Sequence, residues 1–223
     1  MKKLVLLVAV SAVLAFAGMA SAVDNVVGTK HDLSTGGLAI RGTSNQTCVY
    51  CHTPHNGNAG LAGAPLWNKG TPAGPYTMYS SATIDMTIGA APGSVSLACL
   101  SCHDGVASVG VMLNLGGVGV TDTMTPQAGA GATYVAGVIQ SGTAYKLSTN
   151  LTNDHPVAIT YDITKDTAFN AAVAGKVGVL PLFGAGKNQV ECATCHNPHD
   201  NTNTRFLRAS NASSALCKIC HIK

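Results

Sequence analysis

Aromatic and charged side chains are both scarce in this chain of 223 residues. Phe, Trp and Tyr make up 5% of the sequence and the four charged residue types 10%, whereas glycine occurs 25 times. Large apolar side chains, from which a sheet or a helical bundle builds its core, are therefore few. We expect something other than the polypeptide to supply much of the interior.

Long apolar runs are also missing beyond the first residues. The chain begins with Met-Lys-Lys, an apolar run over 4–17 and an Ala-x-Ala site ending at Ala22, which predict a secretory signal peptide over 1–22. The remaining residues, 23–223, are expected to form a single domain. A retained membrane anchor is the alternative, but about 14 apolar residues are fewer than a bilayer-spanning helix requires. The sequence thus predicts export without a membrane span.

No cysteine is left over once one short motif has been counted. All eight cysteines fall in four copies of Cys-x-x-Cys-His, the attachment signature of c-type haem, in which both thiols bond the porphyrin and the histidine binds iron. The four copies are Cys48-Cys51-His52, Cys99-Cys102-His103, Cys192-Cys195-His196 and Cys217-Cys220-His221. They predict four covalently bound haem c groups.

Zinc and disulfides are the competing interpretations of these cysteines, since paired Cys-x-x-Cys knuckles are also a zinc signature. Zinc does not require a histidine directly after each knuckle, and this chain has one in all four places. Export agrees with haem as well, because covalent haem is installed outside the cytoplasm, where free cysteine pairs would otherwise oxidise. With about 50 mature residues for each haem, the macrocycles would form much of the core.

Strong positive charge, the usual sign of a nucleic-acid partner, is lacking too. The formal net charge is +3, and cleavage of the signal peptide removes two lysines. Four haems would add eight propionates, which brings the mature protein to about −3 when oxidised and about −7 when reduced. We therefore expect no nucleic-acid partner.

Histidines occur eight times, twice as often as the motifs. Those outside the motifs are His31, His55, His155 and His199. One is available for each iron, so we predict bis-histidine ligation throughout. For any one of them a surface histidine is the alternative, and methionine is the competing sixth ligand. The methionines of the mature chain lie in no recognisable ligand context and are interpreted as packing residues.

The position of two of these histidines adds a further expectation. His55 and His199 each lie three residues after a proximal histidine, too close to reach the opposite face of their own haem. Each is therefore expected to bind a neighbouring haem, which would bring two haems together. Asp32, Asp154 and Asp200 stand beside distal histidines and are candidates to hold imidazole orientation.

Local signals predict few regular elements. Ser44 or Asn45 is expected to cap a short helix on the first motif, and Ser94 a helix that ends at Gly105. Strand character occurs over 107–112 and 157–161, and a short helix is predicted over 166–174. The long connection over 57–92, with its aromatic residues, is expected to pack over haem faces.

An internal repeat links the two halves of the chain. The nine residues from Cys48 match the nine from Cys192 at five positions, and each copy is followed by a plain Cys-x-x-Cys-His. This pattern indicates two haem pairs related by duplication.

The order of these motifs resembles that of a known family. An early His31-Asp-Leu-Ser, the Pro-His after the first motif, a central Asp-His155-Pro-Val and a doubled motif at the C-terminus are similar to the doubled Cys-x-x-Cys-His cytochromes. Within them the chain resembles extracellular tetrahaem cytochromes of the OmcE type, which polymerise into conducting filaments. The resemblance implies a mostly coil polypeptide with a few short helices and minor β structure, wrapped around a chain of haems. It also implies alternating parallel and T-shaped haem pairs, and one axial histidine donated across the subunit boundary.

Three functions are compatible with four haems: an electron conduit, a multihaem reductase, and a monomeric periplasmic electron shuttle. A reductase needs an open iron, signalled by a missing distal ligand or a variant motif, and neither is seen. No enzymatic activity is therefore expected. The resemblance implies a filament at the cell surface, built head to tail from copies of this chain. Such a filament takes electrons from upstream periplasmic or outer-membrane cytochromes and passes them to external acceptors.

His31 is the expected ligand at the junction between subunits. It lies near the start of the mature chain, whereas the last motif ends at His221, and chain termini usually lie at the surface. A head-to-tail contact would join the two without folding the haem row back on itself. The alternative is that His31 binds an iron of its own chain.

Overall fold

The computed structural model of the protein describes residues 26–115, 123–127, 134–140 and 145–222. The predicted signal peptide over 1–22 lies outside these residues. Coil and turns make up most of the described chain, with a few short helices and minor β structure, as the resemblance implies. No helix in this part of the chain has the length and apolar character needed to cross a membrane.

Every haem motif lies on a helical turn, although the turns are short. The α-helices are α1 at Ser94–His103, α2 at Cys192–Cys195 and α3 at Ala215–Cys220. The 3₁₀ turns are Thr47–Tyr50, Ala59–Leu61, Thr204–Phe206 and Ala212–Ser214. The first motif begins on a 3₁₀ turn, the second ends α1, and the last two occupy α2 and the C-terminal part of α3.

Within the described ranges the strands are all two residues long and pair only as antiparallel ribbons of two. The pairs are β1 (Ile40–Arg41) with β2 (Thr125–Pro126), β3 (Tyr134–Val135) with β4 (Val138–Ile139), β5 (Ile159–Thr160) with β8 (Gln189–Val190), and β6 (Lys176–Val177) with β7 (Leu180–Pro181). Ribbons this short cannot carry a fold by themselves, because an isolated hairpin is at best marginally stable in water.

Two small apolar clusters take the place of a single core. The first holds Leu33, Ile40, Val49, Tyr50, Val109, Met112 and Tyr134, with Met124 and Cys102 packed against it. The second holds Met86, Ile159, Tyr161, Val177, Leu182 and Val190, with Cys220 packed against it. Each cluster therefore adjoins haem-attachment cysteines. Three methionines pack in these clusters, as predicted.

The predicted helix over 166–174 is wrong. The carboxylate of Asp166 accepts the amide of Ala168 at 2.8 Å, which forms a turn. The backbone around Phe169 then forms a bridge to His221 in the last haem motif. Pairing with the C-terminal segment thus overrides the local helical signal.

The predicted strand over 107–112 is also wrong, and the one over 157–161 is reduced to β5. Asp104 holds the start of the 107–112 segment in a turn, since its Oδ1 accepts the amides of Val106 and Ala107 at 2.8 Å. Further along, the carbonyls of Val109 and Val111 accept bonds from a lysine side chain rather than from another strand.

Helix caps also differ from prediction. Gly93 occupies the cap position of α1, and the Ser94 hydroxyl instead accepts the amide of Gly63 at 3.1 Å. Gln46, rather than either predicted residue, occupies the cap position of the turn on the first motif, and its side chain forms no capping bond. Gly105, with φ of +68°, follows the end of α1 as predicted, because this left-handed conformation favours glycine.

Candidate haem sites

The helical turn of each motif brings its histidine back over its first cysteine. The amide of His52 donates to the carbonyl of Cys48 at 2.8 Å, and the third and fourth motifs have the same bond at 3.0 and 2.9 Å. In the second motif, α1 provides this spacing over 99–103. Residues three and four apart share a helix face, so two thiols and one imidazole are offered together. This donor set fits covalent haem c.

A short segment of distant backbone pairs with the residues around the histidine in three of the four motifs. We call these segments, 66–68, 206–208 and 168–170, the clamp segments of the first, third and fourth motifs. In each motif, the backbone amide of the residue after the histidine donates to the carbonyl of the first residue of the clamp segment. The backbone amide of the segment's third residue donates to the carbonyl of the motif's second cysteine. In the first motif Thr53 donates to Leu66 and Asn68 to Cys51; in the third, Asn197 donates to Phe206 and Arg208 to Cys195; in the fourth, Ile222 donates to Ala168 and Asn170 to Cys220. All six bonds are 2.8–2.9 Å long.

The clamp segments give the sequence repeat a structural counterpart. The first and third motifs, which the repeat relates, share the same backbone pairing, and the fourth shares it as well. The second clamp residue faces the histidine, and in two motifs it is aromatic: Trp67 lies edge-on to His52, and the Phe169 ring lies 4.4 Å from that of His221. Trp67 was expected as haem wall, whereas Phe169 was not singled out.

Backbone carbonyls orient three of the proximal imidazoles. The Nδ1 atoms of His52, His103 and His196 lie 2.8, 2.7 and 2.8 Å from the carbonyl oxygens of Pro65, Tyr145 and Arg205. A carbonyl can only accept, so Nδ1 carries the proton and Nε2 keeps its lone pair for a metal. A bond of this kind fixes the tautomer and ring direction of a ligating histidine.

The aspartates expected in this orienting role serve loops instead. Asp32 is buried and accepts bonds from the amides of Ser34 at 3.0 Å and Gly28 at 2.9 Å. Asp200 accepts the amide of Thr202 at 2.9 Å. The prediction is wrong for Asp32, because the Nδ1 atom of the buried His31 has no hydrogen-bond partner in the described chain. For Asp200 it stays a prediction.

Two pairs of imidazoles lie at the separation expected for opposite ligands of one iron. A ring nitrogen binds a first-row metal at about 2 Å, and the ring centre lies about 1 Å beyond it, so two axial imidazoles have centres about 6 Å apart. The ring centres of His52 and His199 are 6.0 Å apart, and those of His31 and His103 are 6.2 Å apart. The residues thus fit a haem between each pair.

His199 therefore lies opposite the proximal histidine of the first motif rather than that of the third, beside which it stands in sequence. This position agrees with the expectation that it binds a neighbouring haem. It also joins the first and third motifs, which lie far apart in the sequence.

His31 lies in its own chain beside His103, which corrects its assignment to a subunit junction. The Phe206 ring packs against it at 4.4 Å. Burial, together with the nearby His103, His196 and His199, lowers the pKa of His31 to about 4. His31 is thus neutral at neutral pH, the form in which imidazole binds metal.

The remaining distal candidates, His55 and His155, lie apart from the other imidazoles. Both are exposed, and within the described chain neither forms a ring contact with another histidine. The Nδ1 atom of His155 lies 3.0 Å from the carbonyl of Pro156, so its Nε2 is also left with a lone pair.

The attachment cysteines follow one another in chain order. Burial raises the pKa of Cys51 to about 12, and the neighbouring Cys102 of the second motif contributes to this rise. The side chain of Cys192, in the third motif, lies beside Cys99 and raises the pKa of the Cys99 thiol. Burial, together with both cysteines of the fourth motif, raises the pKa of Cys195 to about 11. The four sites thus form one row.

Both ends of this row reach the surface. Cys48 and Cys217, each in a terminal motif, are exposed, whereas the six other cysteines are only partly exposed. All eight cysteines are free thiols rather than disulfides. No three or more His, Cys, Asp or Glu side chains of the described residues are gathered as a metal-ion site, whereas structural zinc takes four ligands.

A buried hydrogen-bond network sets the second motif against the third. The Ser96 hydroxyl of α1 donates to the carboxylate of Glu191 and accepts the amide of Cys192 at 3.0 Å. Glu191 also forms a capping box with Thr194 at the start of α2. Ser96, Glu191 and Thr194 are nearly inaccessible to solvent. Sequence reasoning missed this network, because its partners lie almost a hundred residues apart.

Comparison with known proteins gives one family match, which covers residues 185–223: the doubled CXXCH motif family. It includes α2, α3 and the clamp segment of the third motif, 206–208. The match indicates a multihaem c-type cytochrome-like protein with covalently bound haem c and a role in electron transfer. A search of curated proteins finds no match.

Proposed function

We propose that the chain is a tetrahaem electron-transfer cytochrome whose haems form one continuous row, and that it works as the subunit of an extracellular filament of the OmcE type. The observation that carries the first part is the succession of attachment sites, from Cys51 beside Cys102 to Cys195 beside the fourth motif. Bound haem c supplies one-electron exchange at iron, which a closely spaced row extends by outer-sphere transfer.

The histidines support a closed iron rather than a catalytic one. His199 and His31 lie about 6 Å from the proximal histidines of the first two motifs, where they would occupy the sixth position of the metal. His55 and His155 are left for the third and fourth motifs. An enzyme that reduces a small oxyanion would need one such position open, so we infer no enzymatic role.

Filament formation is supported by the motif order and by the ends of the row. Exposed terminal cysteines would place a haem at each end of the molecule, where a second copy could bring its own end haem close. The exposed His55 and His155 take over from His31 as candidates to bind an iron of the neighbouring subunit. Such a contact is heterologous and propagates when its rotation does not close.

In this role the chain would be exported to the cell surface, receive electrons from upstream periplasmic or outer-membrane cytochromes and deliver them to external acceptors. A monomeric periplasmic shuttle is the second candidate, because the same row serves a diffusing carrier equally well. Light scattering of the purified holoprotein separates the two: particles of many subunits support the filament, and monomers at every concentration support the shuttle.

The haem count tests the first part of the proposal. We predict four haems per chain in a pyridine haemochrome assay and only low-spin ferric signals in electron paramagnetic resonance, because eight histidines serve four irons. Fewer than four haems would contradict the count. A high-spin signal from the intact protein would favour the reductase.

A further inference from the structure

A buried charge that electron transfer leaves unexplained belongs to Lys69, which follows the clamp segment of the first motif. Its side chain is 2% exposed, although lysine is almost never fully buried without a partner. Its Nζ donates to the carbonyl of Val109 at 2.5 Å and to that of Val111 at 3.3 Å. Within the described ranges no ion pair with a carboxylate neutralises it. Hydrogen bonds to carbonyl dipoles stabilise the ammonium, but they leave its net charge in place.

Lys69 stands between the first two attachment sites. The preceding residue, Asn68, donates its amide to the carbonyl of Cys51 at 2.8 Å and its side-chain nitrogen to that of Val49 at 2.7 Å, so the lysine is fixed to the first motif. On its other side, Nζ donates to the carbonyl of Val109, which belongs to the apolar cluster against which Cys102 packs. Cys51 and Cys102 mark the edges by which the first two haems would be attached.

We propose that Lys69 is a fixed buried cation that raises the reduction potentials of the first two haems above those they would have beside a neutral side chain. Reduction adds one electron to a haem, and a positive charge held in a low-dielectric interior favours the more negative state. The third and fourth haems lie further along the row, so the charge raises their reduction potentials less. The reduction potential therefore differs between the first two haems and the last two. This inference rests on the proposed function only in requiring haem at the first two motifs.

A purely structural role is the competing explanation, because Lys69 also ties the 109–111 segment to the first motif. The two roles separate in variants that keep or remove charge and hydrogen bonding independently. Lys69→Gln keeps a donor for a carbonyl and loses the charge. Lys69→Arg keeps the charge. Lys69→Met loses both, and Lys165→Met removes a charge from an exposed position as the control.

Spectroelectrochemical titration of each holoprotein tests the proposal, after a haem assay has shown four haems in the variant. At a fixed applied potential, we expect Lys69→Gln and Lys69→Met to lower the reduced-to-oxidised ratio of two of the four haems about tenfold. This is the effect of one charge about 10 Å away at an intermediate dielectric constant. For a one-electron couple that is a fall of about 59 mV. Lys69→Arg and Lys165→Met should titrate like the unmodified protein.

Unchanged potentials in Lys69→Gln, or an equal shift of all four haems, would overturn the proposal. A shift in Lys69→Met that Lys69→Gln does not reproduce would assign Lys69 a structural role and would also overturn it. If the unmodified protein carried fewer than four haems, the proposed function would fail at the first assay, before any potential was measured.

Discussion

At the scale of single residues, three of the four proximal imidazoles depend on a group that their motifs do not contain. His52, His103 and His196 are oriented by carbonyl oxygens of residues 13, 42 and 9 positions further along the chain. The sequence identified the histidines, because an iron ligand is a specific side chain. It did not identify their partners, because every residue carries a carbonyl and only the folded backbone decides which one faces the ring.

The distal histidines show the same limit. Counting four spare histidines against four motifs predicted bis-histidine iron, and spacing alone indicated that His199 binds a neighbouring haem. Chain position misled us on His31, since the order of residues does not say which elements pack together. Its burial against Phe206 is a tertiary property with no local signal.

His199→Ala tests the residue-scale assignment. We expect four haems to remain attached, because attachment needs the thiols and the proximal histidine, while one iron becomes high-spin for want of a sixth ligand. The pyridine haemochrome assay and electron paramagnetic resonance measure the two quantities. Asp200→Ala is the matched control and should keep all irons low-spin. Four low-spin irons in His199→Ala would refute the assignment.

At the scale of elements, turns and clamps replace extended secondary structure. The helical turns of the motifs were predictable because Cys-x-x-Cys-His demands that geometry. The predicted helix over 166–174 and the predicted strand over 107–112 failed for the same kind of reason. Backbone groups of the first segment bond to the fourth motif, and those of the second bond to Lys69. Tertiary partners outweigh propensities, which differ by only about 1 kcal/mol per residue.

The network that joins α1 to α2 yields a prediction about stability. Ser96→Ala removes a partner of the buried Glu191 carboxylate and of the Cys192 amide. Leaving buried polar groups without partners should lower the free energy of unfolding by about 1–3 kcal/mol. Thermal unfolding of the holoprotein, followed by circular dichroism, measures the loss.

Ser80→Ala, at an exposed position, serves as the control and should unfold like the unmodified protein. Equal stability of Ser96→Ala and Ser80→Ala would show that the network does not hold α1 against α2.

At the scale of the whole molecule, the haems are expected to provide the continuity that the polypeptide lacks. Two small clusters and four two-residue ribbons leave no extended core in the described part of the chain. The scarcity of large apolar residues predicted this arrangement. The order of the attachment sites was not predictable, since four motifs in a sequence are compatible with many spatial orders.

Assembly is predicted at the same scale. If His55 or His155 binds iron across a junction, the corresponding alanine variant should yield tetrahaem monomers in place of filaments, with one iron perturbed. Light scattering and electron microscopy measure particle size. Asn153→Ala, an exposed change near His155, should leave assembly intact. Filaments of normal length from the His55→Ala, His155→Ala double variant would argue against trans ligation by either residue.

A cryo-electron microscopy map of the purified holoprotein would show the iron positions and their axial ligands. We predict four haems in one row in the order of their motifs, with His199 opposite His52 and His31 opposite His103. A map in which the first and second haems are not neighbours, or in which other ligands occupy those two irons, would contradict this prediction.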